Sequence, residues 1–189
     1  MIKNLLAAMG MSLLATVAWA EDKQPLPEQV DATGFQDVLA KTGDVYISGQ
    51  PSVAGLERMA KDGVKTVVSF RTPREMNNRD IVPFDEAAKA KELGMNYVNI
   101  PLGGEHAYSP EALAEFAKVM DEASGKTLVH CTVGWRASHA WAAYLAKYKG
   151  MDINEAAAHG RAANMGTPPM ESLLGGNVTY SLPAEDGDK

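Results

Sequence analysis

Thr127–Ser138 reads TLVHCTVGWRAS, and the reading of this stretch decides the fold. Thr127, Leu128 and Val129 are apolar or β-branched, the composition of a short buried parallel strand. His130 and Cys131 stand where such a strand ends, and Thr132–Arg136 carries one Gly and no helix signal. Ala137–Lys149 (ASHAWAAYLAKYK) then has the pattern of a helix, closed by Gly150 just past its last turn. A strand, a tight loop and a helix N-terminus in that order make an anion site, because unpaired N–H groups and the positive helix end point at one spot. Cys131 opens the loop, and the field there favours its thiolate over its thiol. Arg136 closes the loop with a two-pronged donor for a tetrahedral oxyanion. The chemistry expected is attack by sulfur on an anionic group cradled by Thr132, Val133, Gly134, Trp135 and Arg136.

Outward from this stretch, strand patterns alternate with helix patterns. Val45–Ser48, Val64–Phe70 and Met95–Ile100 read as strands. Helices are expected from Ser52 as N-cap through Asp62, over Pro83–Leu93 before Gly94, from Ser109-Pro110-Glu111 to Ala123, and from Asp152 to Asn164. A further short helix is expected over Phe35–Lys41. This alternation predicts an α/β fold with a mostly parallel central sheet flanked by helices on both faces. One domain is expected over residues 45–176, with 21–44 as a lead-in and 177–189 as a polar, flexible tail.

Met1–Ala20 has the make-up of a signal peptide: Lys3, the apolar run Leu5–Val17, and the small-x-small triplet Ala18-Trp19-Ala20. An uncleaved anchor is the alternative, although the apolar run is short for a span. Cleavage before Glu21 predicts a periplasmic or secreted protein with no stable membrane insertion. It would also move the net charge from −6 to −7, since Lys3 leaves and no acid does. So acidic a domain excludes nucleic acid as a natural partner, and an anionic ligand must be captured locally. The single cysteine permits no internal disulfide, so a packed core must carry stability. His139 and His159 have no Cys or carboxylate partners at metal-ligand spacing, so neither a metal nor a cofactor is expected.

His130-Cys131, Gly134 and Arg136 together resemble the signature loop of the cysteine-dependent protein tyrosine and dual-specificity phosphatases. The loop holds four residues between Cys and Arg, Thr132–Trp135, one fewer than in those enzymes. That shorter spacing resembles the bacterial phosphatase-like domains of beta-lactamase-hydrolase-like proteins, and also the active loop of rhodanese sulfurtransferases. Tyr46-Ile47-Ser48-Gly49-Gln50-Pro51-Ser52, followed by Val64–Arg71, is similar to the start of the bacterial phosphatase-like group. The resemblance implies a phosphotyrosine-phosphatase-like fold with Cys131 as nucleophile and Arg136 as oxyanion holder. His130 would support the loop through hydrogen bonds.

Ligands of open parallel sheets bind beyond the carboxyl ends of the strands, which gathers the loops Phe70–Pro73, Pro101–Tyr108 and His130–Arg136. The family's general acid is an Asp on the loop corresponding to Pro101–Tyr108. Here that loop offers Glu105 or His106 instead, with Asp80 as a third candidate. Arg71 is a second cation that either points at the Cys loop or is a surface residue paired with Glu75 or Asp80. Ser138 stands one position later than the family's hydroxyl, so it either assists the thiolate or caps the helix. Trp135 could close over the loop or stack on a substrate ring.

Three functions remain open on these residues. The first is hydrolysis of a phosphomonoester, on a phosphorylated protein or a small phosphorylated molecule, through a phosphocysteine. The second is persulfide transfer, which the short loop favours because sulfur needs less room than a phosphoryl group. The third is oxyanion binding without turnover.

Overall fold

The computed structural model describes residues 24–166, 170–176 and 178–181. Met1–Ala20, expected to be a signal peptide, and residues 177 and 182–189 of the expected tail lie outside these. Six strands form one sheet: β1 Glu28–Gln29, β2 Leu39–Thr42, β3 Val45–Ser48, β4 Val64–Ser69, β5 Asn96–Asn99 and β6 Lys126–His130, in the spatial order β1-β2-β3-β6-β4-β5. The pairs β3–β6, β6–β4 and β4–β5 are parallel, whereas β1–β2 and β2–β3 are antiparallel. The sheet is thus mostly parallel with an antiparallel ribbon at one edge.

The helices among the described residues are α1 Val53–Lys61, α2 Pro73–Met76, α3 Glu86–Glu92, α4 Pro110–Glu122, α5 Trp135–Tyr148, α6 Ile153–Ala163 and α7 Met170–Leu174. Side-chain alternation along the strands splits the core in two. Leu128 and Val67 pack with Leu56, Met59 and Ala90 of α1 and α3. Val129 and Val68 pack on the other face with Phe116, Trp141 and Tyr144 of α4 and α5. The same alternation sends His130 toward the α1–α3 face and places Cys131 in the α4–α5 core.

Several expectations are corrected. Phe35–Lys41 is not a helix, because Leu39 and Ala40 pair with Ser48 and Ile47 across the β2–β3 hairpin. Glu28–Gln29 and Leu39–Thr42, within the expected lead-in, therefore form two edge strands of the sheet. The Gln29 side chain ties this edge down by donating to Ala162 O and Ala163 O at the end of α6 (2.8 and 2.9 Å). The helix expected from Pro83 begins at Glu86, with Asp85 as its cap accepting from Ala88 N at 2.9 Å. Residues 73–76 form a helical turn where only loop was expected, and Met170–Leu174 adds an unforeseen helix. The last correction concerns α5, which starts at Trp135, two residues earlier than its apolar pattern suggested.

Candidate active site

β6 is flanked on both sides by parallel strands, so its carboxyl end lies at the middle of the sheet edge where ligands bind. Cys131 follows it, 1 % exposed, with its N–H donating to Ser48 O at 3.3 Å. The loop is braced from two sides. Gln50 N donates to Thr132 O at 2.8 Å, and the Asn164 side chain donates to Val133 O. Gly49 is obligatory in this packing, since a Cβ there would lie 1.8 Å from Gln36 O and 2.9 Å from Thr132 O. Gly134 takes the left-handed backbone (φ 85) and serves as N-cap of α5. The first N–H groups of α5, from Trp135 on, have no acceptor within the helix and are available to an anion.

Arg136 crosses to the ends of the neighbouring strands. Its NH1 donates to Phe70 O (3.0 Å), Leu102 O (2.8 Å) and Glu75 Oε2 (2.9 Å), and its NH2 donates to Glu75 Oε1 (2.7 Å) and Thr132 Oγ1 (2.8 Å). Thr132 Oγ1 in turn donates to Glu75 Oε1 at 3.0 Å. Burial alone would lower the basicity of Arg136, but the bonds to Glu75 and the nearby Cys131 outweigh it and raise its pKa. Burial likewise pushes the Glu75 carboxyl up, yet Arg136 and the Thr72 amide together hold it well below the usual carboxylate range. Thr72 and Glu75 form a capping box at the start of α2, which aims the carboxylate inward.

Beneath this layer lies a buried polar chain. Arg71, 1 % exposed, reaches Glu75 Oε1 at 3.4 Å and donates to Gln50 Oε1 at 2.7 Å. Gln50 Nε2 donates to Glu86 Oε2, and Glu86 Oε1 lies 2.7 Å from His130 Nε2. Arg71 thus pairs with Glu75, as one alternative had it, but from a buried position and not from the surface. Burial lowers its pKa, partly offset by Glu75.

A cleft of about 510 Å³ opens beside the Arg136 fork, lined among others by Thr72, Arg74, Glu75, Leu102, Gly103 and Tyr108. Tyr108 packs edge-on against Trp135 with ring centroids 6.5 Å apart. Burial raises the Tyr108 pKa although Arg136 opposes it. Glu105 and His106 sit on a tight turn in which Gly103 N donates to His106 O (2.8 Å) and His106 N to Gly103 O (3.1 Å). That turn borders the fork, for a Cβ on Gly103 would lie 4.0 Å from Arg136 NH1. Glu105 is exposed and His106 half-buried, and neither side chain has a described hydrogen bond to the Cys loop. Asp80 is exposed and does not line the cleft. Ser138 does neither job expected of it. Its hydroxyl donates back to Gly134 O at 2.8 Å, and the cap of α5 is Gly134 itself. Trp135 meets His139 edge to face (ring centroids 4.7 Å apart), as it does Tyr108, inside the first turn of α5.

Glu75, Gln50 and Glu86 were not singled out as site residues by their sequence. Thr72-Pro73-Arg74-Glu75 did carry a readable signal, the capping-box spacing with Pro at the first helical position. Glu86 had none, since an acid in a first helical turn is ordinary. Among the described residues no three His, Cys, Asp or Glu gather closely enough to hold a metal ion, and no helix is long and apolar enough to cross a membrane.

The family model for the DSP-PTPase phosphatase fused to NAD+ kinase matches residues 24–173. No curated protein matches the chain in sequence. Among solved structures, Tk-PTP in its active form is 23% identical with a TM-score of 0.59, covering 70% of this chain and 90% of its own. A DUF442 protein from Shewanella putrefaciens CN-32 is 24% identical with a TM-score of 0.58, over 76% and 91% of the two chains. TpbA of P. aeruginosa in complex with pTyr is 19% identical with a TM-score of 0.57, over 72% and 77%. The fold is that of these proteins, and nothing among them favours sulfur transfer. With four-fifths of its length inside the family match, and a Cys loop at the carboxyl end of its central strand, the chain belongs to the DSP-PTPase branch of the cysteine-dependent phosphatases.

Proposed function

We propose that the protein hydrolyses a phosphomonoester through a phosphocysteine on Cys131. The observation that carries this reading is the placement of Cys131 and Arg136 at the two ends of one loop, the guanidinium held in place by Glu75, Phe70 O and Leu102 O. The Cys131 thiolate attacks phosphorus, forming the S–P bond as the ester P–O bond breaks. Glu105 or His106 gives a proton to the departing oxygen. A water that loses its proton to the same group then cleaves the S–P bond, releasing inorganic phosphate and the thiolate. Arg136 and the loop amides hold the phosphoryl oxygens throughout. Four of the five guanidinium N–H groups already have acceptors in the resting structure, so the substrate takes Nε–H or displaces a present partner.

The substrate class proposed is a phosphorylated protein or a small phosphorylated molecule. TpbA was solved in complex with pTyr, which supports including phosphotyrosine. A periplasmic or secreted setting belongs to the same proposal and rests on the sequence of Met1–Ala20. The test is hydrolysis of an aryl phosphate by the wild type and by Cys131→Ser. The variant is expected to lose turnover and the acid-stable phosphoenzyme while keeping its fold. Retained hydrolysis there would sink the cysteine mechanism.

A further inference from the structure

Gln50 lies between the two halves of the buried polar chain and touches both. Its Nε2 donates to Glu86 Oε2 and to Pro51 O (3.1 Å), while its Oε1 accepts from Arg71 NH1 at 2.7 Å. Glu86 is 1 % exposed, and its other oxygen faces His130 Nε2 at 2.7 Å. Arg71 hands the chain on to Glu75, and Glu75 grips Arg136 with both oxygens. A path of hydrogen bonds and two charged contacts, Glu86 to His130 and Arg71 to Glu75, thus joins the residue before Cys131 to the residue that closes its loop.

The amide works in one orientation only. Flipped, it would set oxygen against the Glu86 carboxylate and NH₂ against the Arg71 guanidinium. A carboxylate at position 50 would put two acids side by side away from water, and an amine would put two cations there. What fits is a neutral group with a donor at one end and an acceptor at the other. Gln50 also holds the loop through its backbone, N donating to Thr132 O. Its side-chain hydrogen bonds go to Pro51, Glu86 and Arg71 and to neither Cys131 nor Arg136, so its effect on the reaction runs through Arg71 and Glu86.

We propose that Gln50 is a positioning residue of the phosphatase reaction. Its side chain fixes Arg71, and through Glu75 the fork of Arg136, where the substrate oxyanion arrives, and it steadies Glu86 against His130 behind the nucleophile. This rests on the roles given above to Cys131 and Arg136. A buried shell of this kind sets how closely the groups in front of it keep their working geometry.

The test uses full-length protein, an aryl phosphate and orthovanadate. Gln50→Met keeps the length of the side chain and removes both polar ends. It is expected to weaken vanadate inhibition and lower kcat/KM about tenfold or more, the scale of one lost hydrogen bond to a charged group. Gln50→Glu should be at least as damaging. Adding Glu86→Gln to that variant moves the carboxylate one link along the chain, so Arg71 keeps an anionic partner and the two-acid clash disappears. The double variant is expected to recover vanadate binding relative to Gln50→Glu alone, which a loss of packing would not produce. Wild-type kinetics and inhibition in Gln50→Met, or a double variant no better than Gln50→Glu, overturns the inference. This holds whether or not Gln50→Met folds. A wild-type protein that neither hydrolyses the ester nor responds to vanadate instead sinks the phosphatase reading, and this inference with it.

Discussion

Glu75 holds Arg136 through both carboxylate oxygens, Oε1 2.7 Å from NH2 and Oε2 2.9 Å from NH1. The pair is partly buried, with the two side chains 23% and 12% exposed. A carboxyl held this far below its ordinary range stays ionised at any working pH, so Glu75 is an anchor and not a proton donor. Because its folded pKa is depressed, its stabilising effect is fully present above the unfolded carboxylate value of about 4.3 and is lost as the pH falls below that. Glu75→Gln is expected to destabilise the fold by about 1.5–3 kcal/mol at neutral pH, the scale of charged hydrogen bonds. Melting curves of both proteins from neutral pH into acid should converge below pH about 4. A constant gap would mean that the charge on Glu75 is not what stabilises.

The acid is the next point to settle. Both candidates sit on the Gly103–His106 turn beside the Arg136 fork. Replacing the true donor, by Glu105→Gln or His106→Asn, should slow hydrolysis of an alkyl phosphate by about 10²–10⁴. Nitrophenyl phosphate, whose oxygen leaves without a proton, should lose far less, and vanadate affinity should hardly change. The basic limb of the rate profile should flatten in one variant only. If both variants keep full rate on the alkyl ester, Asp80 becomes the residue to replace.

Ser138 is buried but its hydroxyl is turned away from catalysis, donating to Gly134 O one helical turn back. That carbonyl also accepts from Ser138 N at 2.9 Å, so it keeps a partner when the hydroxyl is removed. Ser138→Ala is therefore expected to cost about 1 kcal/mol or less. Steady-state turnover should stay within a factor of about three. A slow step after phosphoenzyme formation in this variant, seen as a burst, would show that the hydroxyl does reach the sulfur.

Gly134→Ala should be far more harmful. The left-handed backbone costs a side-chain-bearing residue about 1–2 kcal/mol. The added Cβ would also meet Val38 Cγ2 at 2.6 Å, and overpacking of that kind adds about 1–3 kcal/mol. Chemical denaturation of the variant, read beside its rate on an aryl phosphate, checks whether loop geometry and stability fall together. An unchanged midpoint would mean that Val38, just before β2, can move away from the loop.

The central strand and its Cys loop were legible because burial on both faces leaves a short apolar run, and because Gly134 and Arg136 follow Cys131 within one short loop. The helix caps at Ser52, Ser109 and Asp152 were legible for local reasons, each side chain accepting from an N–H two or three residues on. What escaped was set by distant partners. Leu39 and Ala40 have no local preference strong enough to reveal a strand, and only pairing with Ile47 and Ser48 makes them one. Trp135 and Arg136 look like loop because Gly134 precedes them, yet that glycine is the cap that lets the helix begin. Glu86 comes to His130 only because α3 packs across the face that strand alternation assigns to His130. No window of sequence contains both.

The strand order carries a consequence for how the chain is made. β3 and β4 are separated in the sheet by β6, which is not synthesised until more than fifty residues after β4 ends. Until residues 126–130 leave the ribosome, the earlier chain can form a β1-β2-β3 ribbon and a β4-β5 pair with an empty slot between them. Contacts this distant in sequence make the closing step slow and leave apolar strand edges unpaired while it waits. The strand that ends at Cys131 is therefore also the keystone of assembly, and the nucleophile enters its site in the same event that joins the two halves of the sheet.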